Sequence, residues 1–229
     1  MKTKGIVWIK DDFRTENNAA LSYASLNHDS VCAIYIYNKE YFDNKREAQK
    51  WWISKSLESL EKDLNKFNIS LTILVSEEIK FFSKINDKNI SFYWNKIYEP
   101  AQFELDNKVE TILRNKNIKY KLFKGNVLNE YNSITKNDGT PFKVFTPFWR
   151  NAEQVYLNQP PSKNYIVKKK TKKISYFKKC INAKDILPEK KWYEKFEKYW
   201  KVSENDSKKI LKNLIENKIK DYGTSRDIP

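Results

Sequence analysis

Ile6-Val7-Trp8-Ile9, followed at once by Lys10-Asp11-Asp12-Phe13-Arg14, is the stretch on which the fold turns. Four apolar residues without alternation suit a strand covered on both faces. The charged group behind it would stand at that strand's carboxyl end. Outward from here the pattern repeats. A helical stretch around Ala19 to Ser25 leads to a second strand, Val31-Cys32-Ala33-Ile34-Tyr35-Ile36-Tyr37. Between Arg46 and Phe67, the residues Ile53, Leu57, Leu60, Leu64 and Phe67 recur at spacings of four and three, one face of a long helix. Leu71-Thr72-Ile73-Leu74-Val75 is the third strand, and a helix near Glu77 to Lys84 follows it. Ile90-Ser91-Phe92-Tyr93-Trp94 is the fourth; Leu105, Val109, Ile112 and Leu113 then mark an amphipathic helix, and Lys119-Tyr120-Lys121-Leu122-Phe123 closes the series.

Five strands alternating with helices predict an α/β fold over residues 1–130: a doubly wound, Rossmann-like, five-stranded parallel sheet. Ligands in such sheets bind beyond the carboxyl ends of the strands, where the strand order switches. That directs attention to Lys10 to Arg14 and to Asn95-Lys96-Ile97-Tyr98-Glu99-Pro100. The charges after the first strand either orient a polar ligand or form an internal ion-pair network.

After about Lys124 the alternation stops. Residues 131–202 read as a long connector containing Pro160-Pro161 and the cluster Lys168-Lys169-Lys170-Thr171-Lys172-Lys173. The cluster suits either phosphate contact or a solvated linker. Within the connector, Gly139-Thr140-Pro141-Phe142-Lys143-Val144-Phe145-Thr146-Pro147-Phe148-Trp149-Arg150 crowds Phe142, Phe145, Phe148 and Trp149 into eight positions. Thr146-Pro147 can open a helix, with Thr146 as cap and Pro147 in the first helical position. The segment predicts a packed joint between two structural units. Residues 203–229 read as the start of a helical domain. Ser203 with Asp206 resembles a capping box, and Ile210, Leu211, Leu214 and Ile215 form an apolar face.

Bulk properties narrow the function. With 40% apolar residues the chain can build a core despite 32% charged residues. No apolar run approaches the roughly 20 residues of a membrane span, and the first residues do not read as a signal peptide. Cys32 and Cys180 stand alone, without metal spacing, which implies a reducing, cytoplasmic compartment. The net charge of +15 suggests nucleic acid, but 39 of the 44 basic residues are lysine, which compositional drift also produces. With four glycines, neither G-x-G-x-x-G nor a P-loop can be drawn. The single histidine, His28, reads as a surface residue and supports no triad or metal site. The seven tryptophans suit core packing more than electron transfer or base stacking. No catalytic residue and no metal ligand is assigned.

These residues together resemble the photolyase/cryptochrome family. The family opens with Trp-Phe-Arg-Arg-Asp-Leu-Arg-x-x-Asp-Asn-x-Ala-Leu; here Trp8, Asp12, Arg14, Asn18, Ala20 and Leu21 match, and Lys10 stands for an arginine. Asn95 to Pro100 matches Asn-x-x-Tyr-Glu-Pro, and Gly139 to Arg150 matches Gly-x-Pro-Phe-x-Val-Phe-Thr-Pro-Phe-Trp-Arg. Leu187-Pro188 followed by Trp192, and Asp221 to Pro229, also fit. The resemblance implies an antenna domain of the α/β kind, then a helical half that holds FAD and binds damaged DNA. Light collected by an antenna chromophore would pass to reduced flavin, which gives an electron to a cyclobutane pyrimidine dimer. Tyr222 matches an FAD-contacting tyrosine. The chain is expected to be the first part of a photolyase that lacks its helical half, with FAD held only by the longer protein and no activity of its own. Folate-holding members place Asn-Glu where Ala101 and Gln102 stand. Lys10, Asp12 and Glu99 remain as antenna candidates, and a folate, a deazaflavin or a flavin nucleotide are all open. Two other readings stand beside repair: an independent chromophore- or nucleotide-binding α/β module, and a cryptochrome-type photoreceptor fragment.

Overall fold

The computed structural model describes residues 4–43, 47–130, 132–157, 165–167 and 170–225. Pro160-Pro161, Lys168 and Lys169 of the lysine cluster, and Arg226 to Pro229 lie outside the described residues. Five strands form one sheet: β1 (Lys4–Ile9), β2 (Val31–Tyr37), β3 (Ser70–Val75), β4 (Ile90–Asn95) and β5 (Lys119–Phe123). Their order is β3-β2-β1-β4-β5, and every pairing is parallel, as predicted. The order reverses between β1 and β4, which makes their carboxyl ends the switch point.

The apolar runs are continuous because both faces are covered. Val7 and Ile9 point into one core with Ala20, Leu21 and Ala24 of α1 (Ala19–Asn27) and Ile53, Leu57, Leu60 and Leu64 of α3 (Glu47–Asn65). Ile6 and Trp8 point into the other, with Phe82 of α4 (Glu78–Lys84) and Val109 and Leu113 of α5 (Pro100–Asn115). A short α2 (Lys39–Asp43) precedes α3. The long helix stops at Asn65 rather than running to Phe67, because Asn68 turns with φ 58° and Ile69 N–H bonds back to Leu64 O.

The two sheet edges differ. Residues 171–181 lie along β3. Thr171 N–H donates to Phe67 O, Lys172 N–H to Asp29 O and Cys180 N–H to Ile73 O, and Ile181 makes an antiparallel bridge to Ile73. This strap covers backbone groups that an open edge would leave unpaired. Among the described residues no strand lies beyond the edge at β5.

Past β5, Gly125 crosses so close to the β4 loop that a Cβ there would stand 1.9 Å from Lys96 O. Helix α6 (Phe145–Leu157) starts one residue before the predicted cap, Thr146. The expectation of a packed joint needs correction. Phe145, Phe148 and Trp149 are exposed, and Ala152 is the one buried residue of α6. The rings cover one another instead: Phe145 stacks on Trp149 at 6.2 Å, and Phe142 meets Phe148 edge-on at 6.5 Å.

Ser203 caps α7 (Glu204–Asn213) by accepting from Asp206 N–H at 3.0 Å. The helix then loosens into a π turn over Leu214–Lys218 and a 3₁₀ turn over Ile219–Asp221 before the closing turn α8 (Tyr222–Ser225). Ile210, Leu211, Leu214 and Ile215 are all exposed. No described helix is long and apolar enough to cross a membrane.

Candidate functional site

At the switch point the residues that follow β1 and β4 bind each other. Asp12 Oδ2 accepts from Asn95 Nδ2 at 2.6 Å and from Asn18 Nδ2 at 3.0 Å, and Asp12 Oδ1 accepts from Lys10 N–H at 3.1 Å. Asn18 is the N-cap of α1: its Oδ1 accepts from Leu21 N–H at 3.0 Å and also from Asn95 Nδ2 at 2.9 Å. Asn95 Oδ1 in turn accepts from Ala20 N–H at 3.2 Å. Burial pushes the Asp12 carboxyl up, and the Asn95 hydrogen bond pulls against it.

A second buried contact lies beside the first. Lys10 Nζ donates to Asp106 Oδ1 at 2.7 Å, with both side chains about 5% exposed or less. The same ammonium lies 4.9 Å from the Trp8 ring centre. Asp106 Oδ2 and Trp94 Nε1 are buried without a well-formed hydrogen bond, though the indole N–H still favours the charged carboxylate. Burial outweighs these contacts and raises the Asp106 pKa. The Nε of Arg14 is likewise buried and unpartnered.

This geometry decides what the helix end can hold. A phosphate at the start of α1 would need free backbone N–H groups. Those of Ala20 and Leu21 are engaged by Asn95 and Asn18. The residues therefore do not fit a pyrophosphate cradle at α1, and the network closes the place where a dinucleotide would lie. The open space is further out. A cleft of about 360 Å³ is bounded by Phe103, Asp106 and Glu110 of α5, Leu122 of β5, and the Lys96–Glu130 ion pair at 3.1 Å. Two of its three carboxylates, Asp106 and Glu130, are already paired with lysines.

The start of α7 is fastened to this end of the sheet. Glu204 Oε2 accepts from Thr15 N–H at 2.8 Å and from Thr15 Oγ1 at 3.1 Å, and Oε1 accepts from Glu16 N–H at 3.1 Å. Lys208 bridges Glu16 at 2.7 Å and Glu204 at 3.3 Å. Burial pushes the Glu204 carboxyl up, but these donors together outweigh it and hold it below its usual range.

Of the residues singled out from sequence, Lys10 and Asp12 come together but are engaged by protein groups. Glu99 precedes α5, exposed, with no side-chain hydrogen bond at the helix cap. Tyr222 opens the last turn and is 59% exposed. His28 is corrected: it is buried, its Nε2 lies 2.7 Å from Tyr93 Oη, and its ring leaves no room for a Cβ at Gly5. Burial lifts the Cys32 thiol to about 12, so it stays protonated. Among the described residues no group of three or more metal-binding side chains converges. Asn18, Asp106, Glu130 and Glu204 were not expected as site residues. Asp106 did leave a signal, since it sits on the apolar stripe of α5 with Val109 and Leu113, where a carboxylate needs a buried partner.

The DNA photolyase family model matches residues 5–165. The chain is 27% identical over 98% of its length to a deoxyribodipyrimidine photo-lyase of Agrobacterium fabrum and covers 47% of that protein. It is 25% identical over 64% of its length to Cryptochrome-1 of Arabidopsis thaliana, covering 22% of that protein. A crystal structure of a bacterial class III photolyase from Agrobacterium tumefaciens superposes on the whole chain with a TM-score of 0.83 at 25% identity, over 48% of that structure. The chain thus spans about half the length of the photolyase it matches. Sequence and backbone shape agree: the chain belongs to the DNA photolyase family, in its N-terminal α/β domain.

Proposed function

We propose that this chain is the light-collecting N-terminal part of a deoxyribodipyrimidine photolyase that repairs pyrimidine dimers in DNA with FAD, in the cytoplasm. One observation carries the reading. Similarity to the Agrobacterium photolyase extends through α7, over 98% of the chain, whereas similarity to the plant cryptochrome covers 64%. That favours repair over photoreception.

In this reading residues 1–130 are the antenna domain, 131–202 join it to the helical half, and 203–229 open that half. The flavin supplies the electron that splits the dimer. This chain contributes Tyr222 to the flavin's surroundings and holds the first helix in place through Glu204. Lys10 and Asp12 act as scaffold for the carboxyl end of the sheet. Glu99, exposed before α5, is the antenna candidate still free to meet a folate, deazaflavin or flavin nucleotide. The chain alone does not repair DNA.

A chimera tests this. Residues 1–229 replace the matching half of the Agrobacterium photolyase, and light-dependent splitting of thymine dimers is measured in an irradiated oligonucleotide. Repair is expected with the chimera and not with the 229-residue chain. A folded, flavin-loaded chimera without repair would refute the reading, as would stoichiometric FAD on the chain alone, seen by its blue absorbance.

A further inference from the structure

A groove of about 530 Å³ runs along the outer side of β5, away from the carboxyl ends of the strands. It straddles the strand's edge and belongs to neither face of the sheet. Lys119 and Lys121 project to the α1 face, beside Tyr23 and Tyr93, while Tyr120 and Arg114 lie on the α5 face. The rings are already packed. Tyr120 stacks on Trp94 at 5.9 Å, and Tyr23 meets Tyr93 at 5.4 Å and Phe123 at 5.2 Å, with Lys121 Nζ 4.2 Å from its centre. What stays open is charge and backbone. Arg114, Lys119 and Lys121 are exposed, and among the described residues no carboxylate lines the groove. Arg114 donates to Tyr120 Oη at 3.3 Å, and Glu110, on its own helix, is the acid that acts on it. Lys96 N–H donates to Phe123 O, which turns the backbone groups of Lys119, Lys121 and Phe123 toward β4. By alternation Tyr120 and Leu122 turn their N–H and C=O groups outward, and among the described residues no backbone group pairs with them.

An unpaired strand edge accepts an extended chain, whose main-chain groups complete the ladder. Such a chain puts alternate side chains on opposite faces. The cations stand on both faces, Lys119 and Lys121 on one and Arg114 on the other, so the complement is a strand with acids at successive positions. A second copy of this chain does not fit, because its own Lys119 and Lys121 would meet these. Edge lysines deter that self-pairing. They do not account for Arg114, which projects from a helix. The opposite edge gives a contrast: the chain covers β3 with its own residues 171–181, and among the described residues nothing comparable covers β5.

We propose that the β5 edge receives an acidic, extended segment of a partner protein as a sixth strand. Its main chain pairs with Tyr120 and Leu122. Two of its carboxylates meet Lys119 and Lys121, and a third, between them in sequence, meets Arg114. The surface uses neither the flavin nor an antenna.

The test uses the 229-residue chain and the dye-labelled peptide Thr-Val-Glu-Glu-Glu-Val-Thr, followed by fluorescence anisotropy at low salt. Its outer two glutamates share one face of a strand and the middle one takes the other. Neutralising the edge with Arg114→Gln, Lys119→Gln and Lys121→Gln should weaken binding roughly tenfold, at a factor of about two per exposed ion pair. Removing three charges elsewhere, with Lys62→Gln, Lys184→Gln and Lys190→Gln on and beside α3, should leave binding nearly unchanged. Arg114→Glu alone, at an exposed helical position, should weaken it about threefold should the triple variant melt. Strand addition also needs the peptide's main chain. Of two versions N-methylated at one or the other set of alternate residues, at least one should bind roughly tenfold more weakly, with its charge unaltered. An equal loss in the control triple would overturn the proposal, since net charge would then suffice. So would no measurable binding to the unaltered chain, unchanged binding to both edge variants, or full binding of both N-methylated peptides. Displacement by oligothymidylate better than by unlabelled peptide of equal charge would overturn it too, and would assign the groove to nucleic acid.

Discussion

Lys10→Met removes the cation from a buried pair and keeps the length of its stem. In the folded protein Lys10 Nζ and Asp106 Oδ1 are 2.7 Å apart, with side chains 5% and 4% exposed. Without the ammonium, Asp106 has only the poorly aligned Trp94 N–H to compensate its charge. Stranding one member of a buried pair costs about 3–5 kcal/mol. In a domain of this size that lowers Tm by roughly 6–20 °C, at ~2–4 °C per kcal/mol. The pH dependence is the sharper test. Burial already raises the Asp106 pKa, so folding favours its protonated form. Its contribution to stability is fully present below the unfolded pKa and is lost as pH rises through the folded pKa. Losing Lys10 raises that pKa further. The penalty should therefore be large at neutral pH and shrink in mild acid, where Asp106 takes up a proton. Replacing both partners, with Lys10→Met and Asp106→Leu, should recover stability to within about 1 kcal/mol of wild type or exceed it, because no charge is stranded. Urea melts of the four proteins at several pH values give the cycle. A Lys10→Met cost under about 1 kcal/mol at neutral pH, or one that does not change with pH, would refute the account of the pair.

Lys10→Arg should be neutral or stabilise by about 1 kcal/mol, because a guanidinium fork can reach the unpartnered Asp106 Oδ2; chemical denaturation measures this. Asn18→Ala should cost about 1–3 kcal/mol, since it removes the α1 cap and one partner of half-buried Asp12; Asn95→Leu should cost at least as much by the same melts. Gly125→Ala should destabilise by more than about 1 kcal/mol, because its Cβ would meet the Lys96 carbonyl and backbone must move; a change within experimental error would show the crossing to be looser. Glu204 has a lowered pKa, so its hold on Thr15 and Glu16 is present above the ordinary carboxylate range and lost as pH falls through the folded pKa. The protection of α7 amides, taken relative to the intrinsic exchange rate at each pH, should accordingly fall on acidification, and in Glu204→Gln should be lower already at neutral pH. The exposed Ile210, Leu211, Leu214 and Ile215 should bind a hydrophobic dye, and Leu211→Lys with Ile215→Lys should reduce that signal.

The sheet was legible because burial on both faces leaves a simple trace. A strand between two cores carries apolar residues at every position, and all five strands showed this or its edge-strand form. The start of α7 was equally plain, because Ser203 and Asp206 act over a few bonds. The segment 139–150 misled for a physical reason. Aromatic density reports a need for cover and not its source, and the described rings of this segment cover each other while remaining exposed. His28 misled in the opposite sense, since nothing near it in the chain announces Gly5 or Tyr93.

Local chemistry, then, determined which segments are strands and helices, their parallel winding, and the end of the sheet at which polar residues gather. The tertiary structure decided what those residues do. Asp12 and Asn95 are far apart in sequence yet 2.6 Å apart in space, and Lys10 meets Asp106 across the α5 crossover. Whether a charged side chain awaits a ligand or is already satisfied depends on which distant groups the fold brings within hydrogen-bond reach. Strand order and crossover geometry settle that, and neither is written into the spacing of residues along the chain.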